Sequence, residues 1–416
     1  MFRRIAAITF IFVCTAVAWV ILGATIFERT YSADDTLRGR VISLWGAPHV
    51  QFPPAAVWEE KRLRTMDSTE DGKRMTRTAE ETVAHTLPLV RTDASARIAL
   101  EHRRKGLLWY STYKVNFAGE YAFRSAFAAP QQVRLTLPLP AKGGIYDDLF
   151  LEVNGARVPV TYEAEAAAAS VQIPAGETIL VRAGYRSQGL DRWTYRFAQG
   201  IAEARDFRLR ISTDFGGFDF PDDAISPTEK QPRPDGWDLT WAYANLVTGS
   251  SIALAMPQKL QPGPLAGRIS LFAPVSLFFF FFLMFLLTTL RGIELHPMNY
   301  FFLAAAFFAF HLLLAYLVDH VTLLAAFLLS AAVSVLLVVS YLRLVVGTRF
   351  ALVEAGLSQV LYLVLFSAAF FLEGFTGLTV TIGSIVTLFV VMQMTGRIRW
   401  AEYFAPKPAA PAASGK

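Results

Sequence analysis

Apolar positions along this chain cluster rather than spread. Over residues 269–394 they form long runs with short polar breaks: 269–290, 298–318, 321–342, 352–372 and 375–394. A helix of about 20 apolar residues crosses a hydrocarbon core of roughly 30 Å, so each run is long enough to span. Five in succession predict five membrane helices. A further run, 5–27, is flanked by Arg3-Arg4 and Glu28-Arg29. The apolar core of a cleaved signal peptide is usually about 7–15 residues. This one is longer and reads as an uncleaved anchor.

Between these helices the period changes to two. Val133, Leu135, Leu137 and Leu139 alternate with other residues, and so do Leu149, Leu151 and Val153 before Asn154-Gly155, with Val158 and Val160 in the following strand. Alternation around an Asn-Gly pair predicts a β-hairpin. Strands are also expected within 107–128 and over 170–173, 178–185, 193–197, 207–211, 237–245 and 252–256. Pro53-Pro54 stops any regular element. Residues 59–86 fit a strand pair or a helix, and 219–234 read as a long loop. The pattern suggests an antiparallel β sandwich or paired sheets.

The predicted fold is therefore a polytopic α-helical membrane protein with a large extracytoplasmic mainly-β domain inserted between helix 1 and helix 2. Its divisions are an N-terminal helix (1–27), the β-rich domain (28–268), a five-helix bundle (269–400) and a cytoplasmic tail (401–416). Basic residues orient it. With the N-terminus cytoplasmic, Arg3, Arg4, Arg291, Arg343, Arg349, Arg397, Arg399, Lys407 and Lys416 all fall on the inner side. The turns at Asp319-His320 and Glu373-Gly374 carry no Lys or Arg. This is the positive-inside pattern, and it places both termini in the cytoplasm.

Composition agrees: 54% of residues are hydrophobic, only 18% are charged, and 34 are Phe. A single cysteine excludes a disulfide framework, a CxxC redox pair and a Cys-based zinc site; Cys14 lies within an apolar run. The net charge of +5 is dispersed, with no basic tract interleaved with aromatics, so no nucleic acid is expected. There is no GxSxG, HExxH or P-loop pattern, and neither catalysis, a cofactor nor a metal is expected. Asp219, Asp222 and Asp223 could offer oxygens to a hard cation, but a solvated loop explains them as well.

Within the apolar runs, His311 and Glu354 stand out, since an ionisable group at depth is a functional candidate. His311 shares a helix face with Phe307 and Ala315; packing as a neutral, hydrogen-bonded imidazole is the competing reading. Glu354 is expected to reach the interface or pair with Arg349, and Gln359 to donate between helices. A proton relay would need a series of acids and histidines at matching depth, which is not seen. His296-Pro297 starts the third helix, where proline loses no hydrogen bond. Asp319 and His320 are expected to cap the outer turn and to be exposed toward the outer domain.

From 292 to 341 the chain resembles the CreD family of bacterial inner-membrane proteins. The landmarks are His296, Pro297, Tyr300, the pair Asp319-His320, and Tyr341. Glu373 at the outer turn, Thr395-Gly396-Arg397-Ile398-Arg399-Trp400 near the end, and Leu44-Trp45-Gly46 followed by Pro53-Pro54 are also similar to that family. Two departures matter. Family members commonly carry Tyr, Ser-Glu-His and Asp-Trp where this chain has His311, Val318-Asp319-His320 and Arg399-Trp400, and the middle of the outer domain matches poorly. The resemblance implies a role in envelope integrity, in some bacteria in the response to β-lactam stress, and brings no catalytic residue set. The expected function is thus a non-enzymatic inner-membrane protein that maintains or senses the envelope. Its partners would be the lipid bilayer and a periplasmic or inner-membrane protein bound through 28–268. A transporter or channel, and a membrane enzyme acting on envelope material, are the alternatives.

Overall fold

The computed structural model describes residues 2–70, 73–105, 108–125, 127–372 and 374–396. They divide into two compact units. One comprises Met1–Asp34, Gly106–Leu108 and Leu260–Lys416; the other comprises Asp35–Lys105 and Trp109–Lys259.

The first helix, α1, runs Phe2–Trp45, well past the end of its apolar run at 27. No proline interrupts that stretch, and the helix ends where Gly46 takes φ +104° and donates its N–H to the Ile42 carbonyl at 3.1 Å. A side chain at Gly46 would overlap the Gln188 carbonyl oxygen, so this stop requires glycine for two separate reasons.

The strands follow. β1 (His49–Gln51) precedes a long hairpin of β2 (Ala55–Glu70) and β3 (Lys73–Thr86), then β4 (Leu89–Lys105) and β5 (Leu108–Arg124). Next come β6 (Gln131–Pro138), β7 (Tyr146–Val153), β8 (Ala156–Arg157), β9 (Thr161–Tyr162) and β10 (Ala166–Ile173). β11 (Thr178–Leu190), β12 (Arg192–Tyr195), β13 (Ala202–Thr213), β14 (Glu229–Arg233), β15 (Gly236–Thr248) and β16 (Ile252–Ala255) complete the unit. They form an eight-stranded sheet in the order β14-β15-β13-β4-β5-β11-β7-β8, a five-stranded sheet β3-β2-β6-β10-β9, and a three-stranded sheet β1-β12-β16.

Several expectations take definite form here. The region 59–86 is a strand pair, in register from Val57↔Thr86 to Glu70↔Lys73. Asn154 and Gly155, both at positive φ, turn β7 into β8, but β8 ends at Arg157, before Val158 and Val160. The presumed loop at 219–234 contains β14, which pairs with β15. The sheets are also not wholly antiparallel, because β1 pairs with β12 and β13 with β4 in parallel. Parallel partners need long crossovers, and here many intervening residues supply them, a relation that no local pattern carries.

Alternation places the core. Tyr113, Val115 and Phe117 of β5 pack in one cluster with Trp193, Tyr195, Ile252 and Leu254. Tyr121 and Phe123, on the same face of the same strand, pack with Val133, Leu135 and Leu137 in another. One face of the eight-stranded sheet therefore bears both smaller sheets. The other face of β5 shows Lys114, Asn116 and Ala118 to solvent.

The helical unit continues with α2 (Pro262–Leu290), α3 (Pro297–Leu317), α4 (Leu323–Val346), α5 (Phe350–Phe371) and α6 (Thr376–Thr395). Together with α1 these are six helices long and apolar enough to cross a membrane. α5 is irregular: Phe350–Ala355 and Val360–Leu365 wind as π-helix around an α turn at Gly356–Gln359. Small residues bring α1 and α2 together. A Cβ at Gly263 would meet Thr30, one at Gly267 would lie 3.0 Å from the Phe27 ring, and one at Gly23 would lie 2.7 Å from Leu271. Gly263 and Gly267 are four apart, the spacing that permits close helix approach.

Candidate functional site

In the helical unit the sequence candidates do not converge on one another. His311 on α3 is 1% exposed. Its Nδ1 donates to the Phe307 carbonyl one turn back, at 3.0 Å. The ring stands edge-on to Trp19, at 5.6 Å between centroids, and to Phe310, at 4.8 Å. It is thus held by its own backbone and by aromatic neighbours, with no carboxylate paired to it among the described residues.

Glu354 pairs with Arg291 at the end of α2, not with Arg349. The carboxylate side chain is only 14% exposed, so it requires a cation from an adjacent helix, and Arg291 is the one that reaches it. Asp319 is 3.5 Å from Arg29 of α1, and the same guanidinium donates to the Ala315 carbonyl at 2.9 Å, satisfying an open group near the end of α3. His320 lies exposed in the following turn. His296 caps α3, its Nδ1 accepting from Met298 N–H at 3.2 Å. Tyr300 is fully buried against the Phe281 ring at 5.3 Å. Glu373 lies outside the described residues, as do Arg397, Arg399, Lys407 and Lys416.

What the helices do share is a ladder of uncharged polar groups. Gln359 Nε2 donates to Ser334 Oγ at 2.8 Å, and that hydroxyl donates to the Ala306 carbonyl at 2.6 Å. The contact ties α5 to α4 to α3. Ser276 of α2 donates to the Tyr362 carbonyl, and Tyr362 donates to Thr387 of α6 at 3.1 Å. Of these two α5 residues, Gln359 flanks a π turn and donates from its side chain, while Tyr362 lies in one, where the wider backbone leaves its carbonyl easier to reach from outside the helix.

The β unit carries an open recess that sequence reading did not locate. About 1020 Å³ is enclosed among Asn116, Tyr146, Phe150, Arg157, Tyr162 and Arg186. A second hollow of about 320 Å³ shares Asn116 and Arg186 and adds Arg97 and Lys114. Its geometry comes from a register shift between Gly184 and Arg186, where β11 pairs with β7. Arg186 meets Asp147 at 2.8 Å and Asp148 at 2.5 Å, while Asp148 adopts φ +50°. Tyr146 fixes the neighbouring loop, donating to the Ala141 carbonyl and accepting its N–H, each at 2.8 Å. Burial pushes its phenol up to about 12, so it stays a neutral donor. The Asp147-Asp148 pair was visible in the sequence only as acidic residues; its partner Arg186 lies too far along the chain for any local signal.

Two of the three acidic residues weighed for a cation, Asp219 and Asp223, are otherwise engaged. Asp223 receives Arg192 at 2.8 Å and 3.0 Å, and Asp219 accepts from the Phe220 N–H at 2.8 Å. Among the described residues no group of three or more His, Cys, Asp or Glu side chains is placed to hold a metal ion.

Long apolar helices following a β unit define a polytopic membrane protein by composition. Residues 230–401 match the family model described as Inner membrane protein CreD. The landmarks from His296 to Tyr341 fall inside that matched stretch, while Leu44-Trp45-Gly46 does not. No curated protein matches the chain. A crystal structure described as a nutrient binding protein from Legionella pneumophila is similar at 10% identity and a TM-score of 0.28, over 47% of this chain and 74% of that one. The M1 zinc metallopeptidase from Deinococcus radiodurans is similar at 14% identity and a TM-score of 0.25, over 41% of this chain and 42% of that one. The chain therefore spans less than half of that enzyme's length. Likenesses this weak say nothing about activity.

Proposed function

We propose that this protein is a non-enzymatic component of the bacterial inner membrane that senses or maintains the envelope. Six helices cross the bilayer with both termini in the cytoplasm, and the β unit lies outside, where it binds a periplasmic or inner-membrane protein. The observation that carries this reading is the polar face of the eight-stranded sheet. The recess on it joins aromatic side chains, Tyr146, Phe150 and Tyr162, to Arg157, Arg186 and Asn116. Tyrosine and arginine are the residue types that most often anchor protein interfaces. Exposure in the helices supports the membrane assignment: the most apolar stretches of α1 and α6 are each only 6% buried, which water would penalise and lipid would not.

The test is photo-crosslinking in intact cells from Asn116 and Tyr162. A discrete protein adduct that is lost when Arg186→Ala is added supports the proposal. Turnover of an envelope precursor by the purified chain, or crosslinking indifferent to Arg186→Ala, overturns it.

A further inference from the structure

α1 and α2 lie antiparallel within the helical unit, and their separation changes along their length. Where Gly23, Phe27 and Thr30 meet Leu271, Gly267 and Gly263, the absence of side chains lets the backbones approach. Toward the start of α1 the facing residues of α2 are phenylalanines, and the helices are held apart. The result is a groove of about 440 Å³ lined by Ile5, Ile8, Phe12, Phe278, Phe282 and Phe285, almost without polar surface. Its volume falls in the range of roughly 300–1,000 Å³ typical of small-molecule sites.

One end of this groove is cationic. Arg4 lies over the Phe285 ring at 5.7 Å, and its Nη2 reaches Thr288 Oγ1 at 3.5 Å. Its Nε is buried with no acceptor. Arg3 is exposed beside it. Among the described residues neither arginine has a carboxylate partner, whereas Arg29 and Arg291 each have one. An apolar slot ending at two uncompensated guanidiniums is complementary to a molecule with a hydrocarbon tail and an anionic head. Arginine recognises phosphate through several donors at once.

We propose that the groove holds an acyl chain of an anionic phospholipid drawn from the bilayer, with the lipid phosphate at Arg3 and Arg4. The inference rests on the membrane assignment above. The bound lipid fills the wedge between the helices and supplies a negative charge that no described residue provides there.

The test uses the full chain, purified in detergent, stripped of lipid and titrated with phosphatidylglycerol, phosphatidylethanolamine and phosphatidylcholine of identical acyl chains, read by native mass spectrometry. Phosphatidylglycerol is expected to bind roughly thirtyfold tighter than the other two, since each of the two basic residues near the surface contributes about 1 kcal/mol toward anionic lipid. The double variant Arg3→Gln, Arg4→Gln should bind all three alike. Those arginines also orient α1, so a second variant, Thr9→Trp, keeps both charges and fills the groove; it should lose the tight phosphatidylglycerol adduct while retaining the thermal transition of the parent. Equal binding of the three lipids by the parent, or a preference that survives Thr9→Trp, overturns the proposal. A chain that labels as six-spanning in cells yet shows no lipid preference would refute this inference alone and leave the membrane assignment standing.

Discussion

His49 shows how a single side chain can make the β unit sensitive to acid. It is fully buried, its ring edge-on to Tyr113 at 5.6 Å and its Nε2 3.4 Å from Ser187 Oγ. Burial lowers its pKa from 6.5 to about 4. Because the folded value is depressed, the unfolded chain takes up the proton first as pH falls. The contribution is whole above pH 6.5 and is lost as pH drops toward 4, amounting to about 3 kcal/mol. Thermal unfolding of the full chain between pH 7 and pH 4 should show this loss, and His49→Gln should flatten it; an unchanged slope in the variant would assign the acid sensitivity elsewhere. Gly46 makes a second residue-scale case. Gly46→Ala forces a side chain onto the Gln188 carbonyl at a backbone angle that alanine disfavours, and should cost about 2 kcal/mol or more in a melt. The apolar run in the sequence ends this helix at 27 and leaves Gly46 no structural role; the carbonyl it must clear lies far along the chain. The same distance effect explains Glu354. Sequence proximity suggested Arg349, but the fold delivers Arg291. With that guanidinium half-exposed, Arg291→Met should destabilise by about 1–2 kcal/mol rather than the larger cost of a fully buried pair.

At the scale of elements, legibility followed period. Alternating valines and leucines around Asn154-Gly155 marked β6 and β7 because two-residue periodicity survives in any sheet that buries one face. For β2 and β3 a strand pair and a helix stayed equally open because their residues are mostly polar or charged, although Asp71-Gly72 between them is a hairpin dipeptide in sequence. The π turns of α5 left no trace, since its few polar residues, Glu354, Ser358, Gln359 and Ser367, are too sparse to distinguish one helical pitch from another. Their consequence is the polar ladder, which gives a measurable expectation. Ser334→Ala strands the Gln359 amide in an apolar surround and should cost about 1–2 kcal/mol, whereas Gln359→Leu with Ser334→Ala should recover part of that. A double-mutant cycle on detergent-solubilised protein, showing coupling of at least ~0.5 kcal/mol, would confirm that the two groups act together.

For the whole molecule, the decisive quantity is which residues share a side of the bilayer. Arg3, Arg4, Arg291, Arg343 and Arg349 lie at ends of α1, α2, α4 and α5 that must fall on one side if every helix crosses. Asp319 and His320 lie at the opposite end of α3. Arg29 fits that frame: it lies nearly a full apolar run from Arg4, is neutralised by Asp319, and so exerts little retention of its own. The orientation can be read with single cysteines in a Cys14→Ser background, one at exposed Ala164 of the β unit and one at exposed Thr348 in the break after α4. In intact cells a membrane-impermeant maleimide that passes the outer membrane should modify the Ala164→Cys chain and spare the Thr348→Cys chain until the inner membrane is opened. Labelling of both without permeabilisation would mean that at least one of the six helices fails to cross. The charge argument would then fail with it: loss of the α3 or α4 crossing puts the basic ends of α2 and α4 on different sides, and loss of the α2 crossing puts both on the side opposite Arg3 and Arg4.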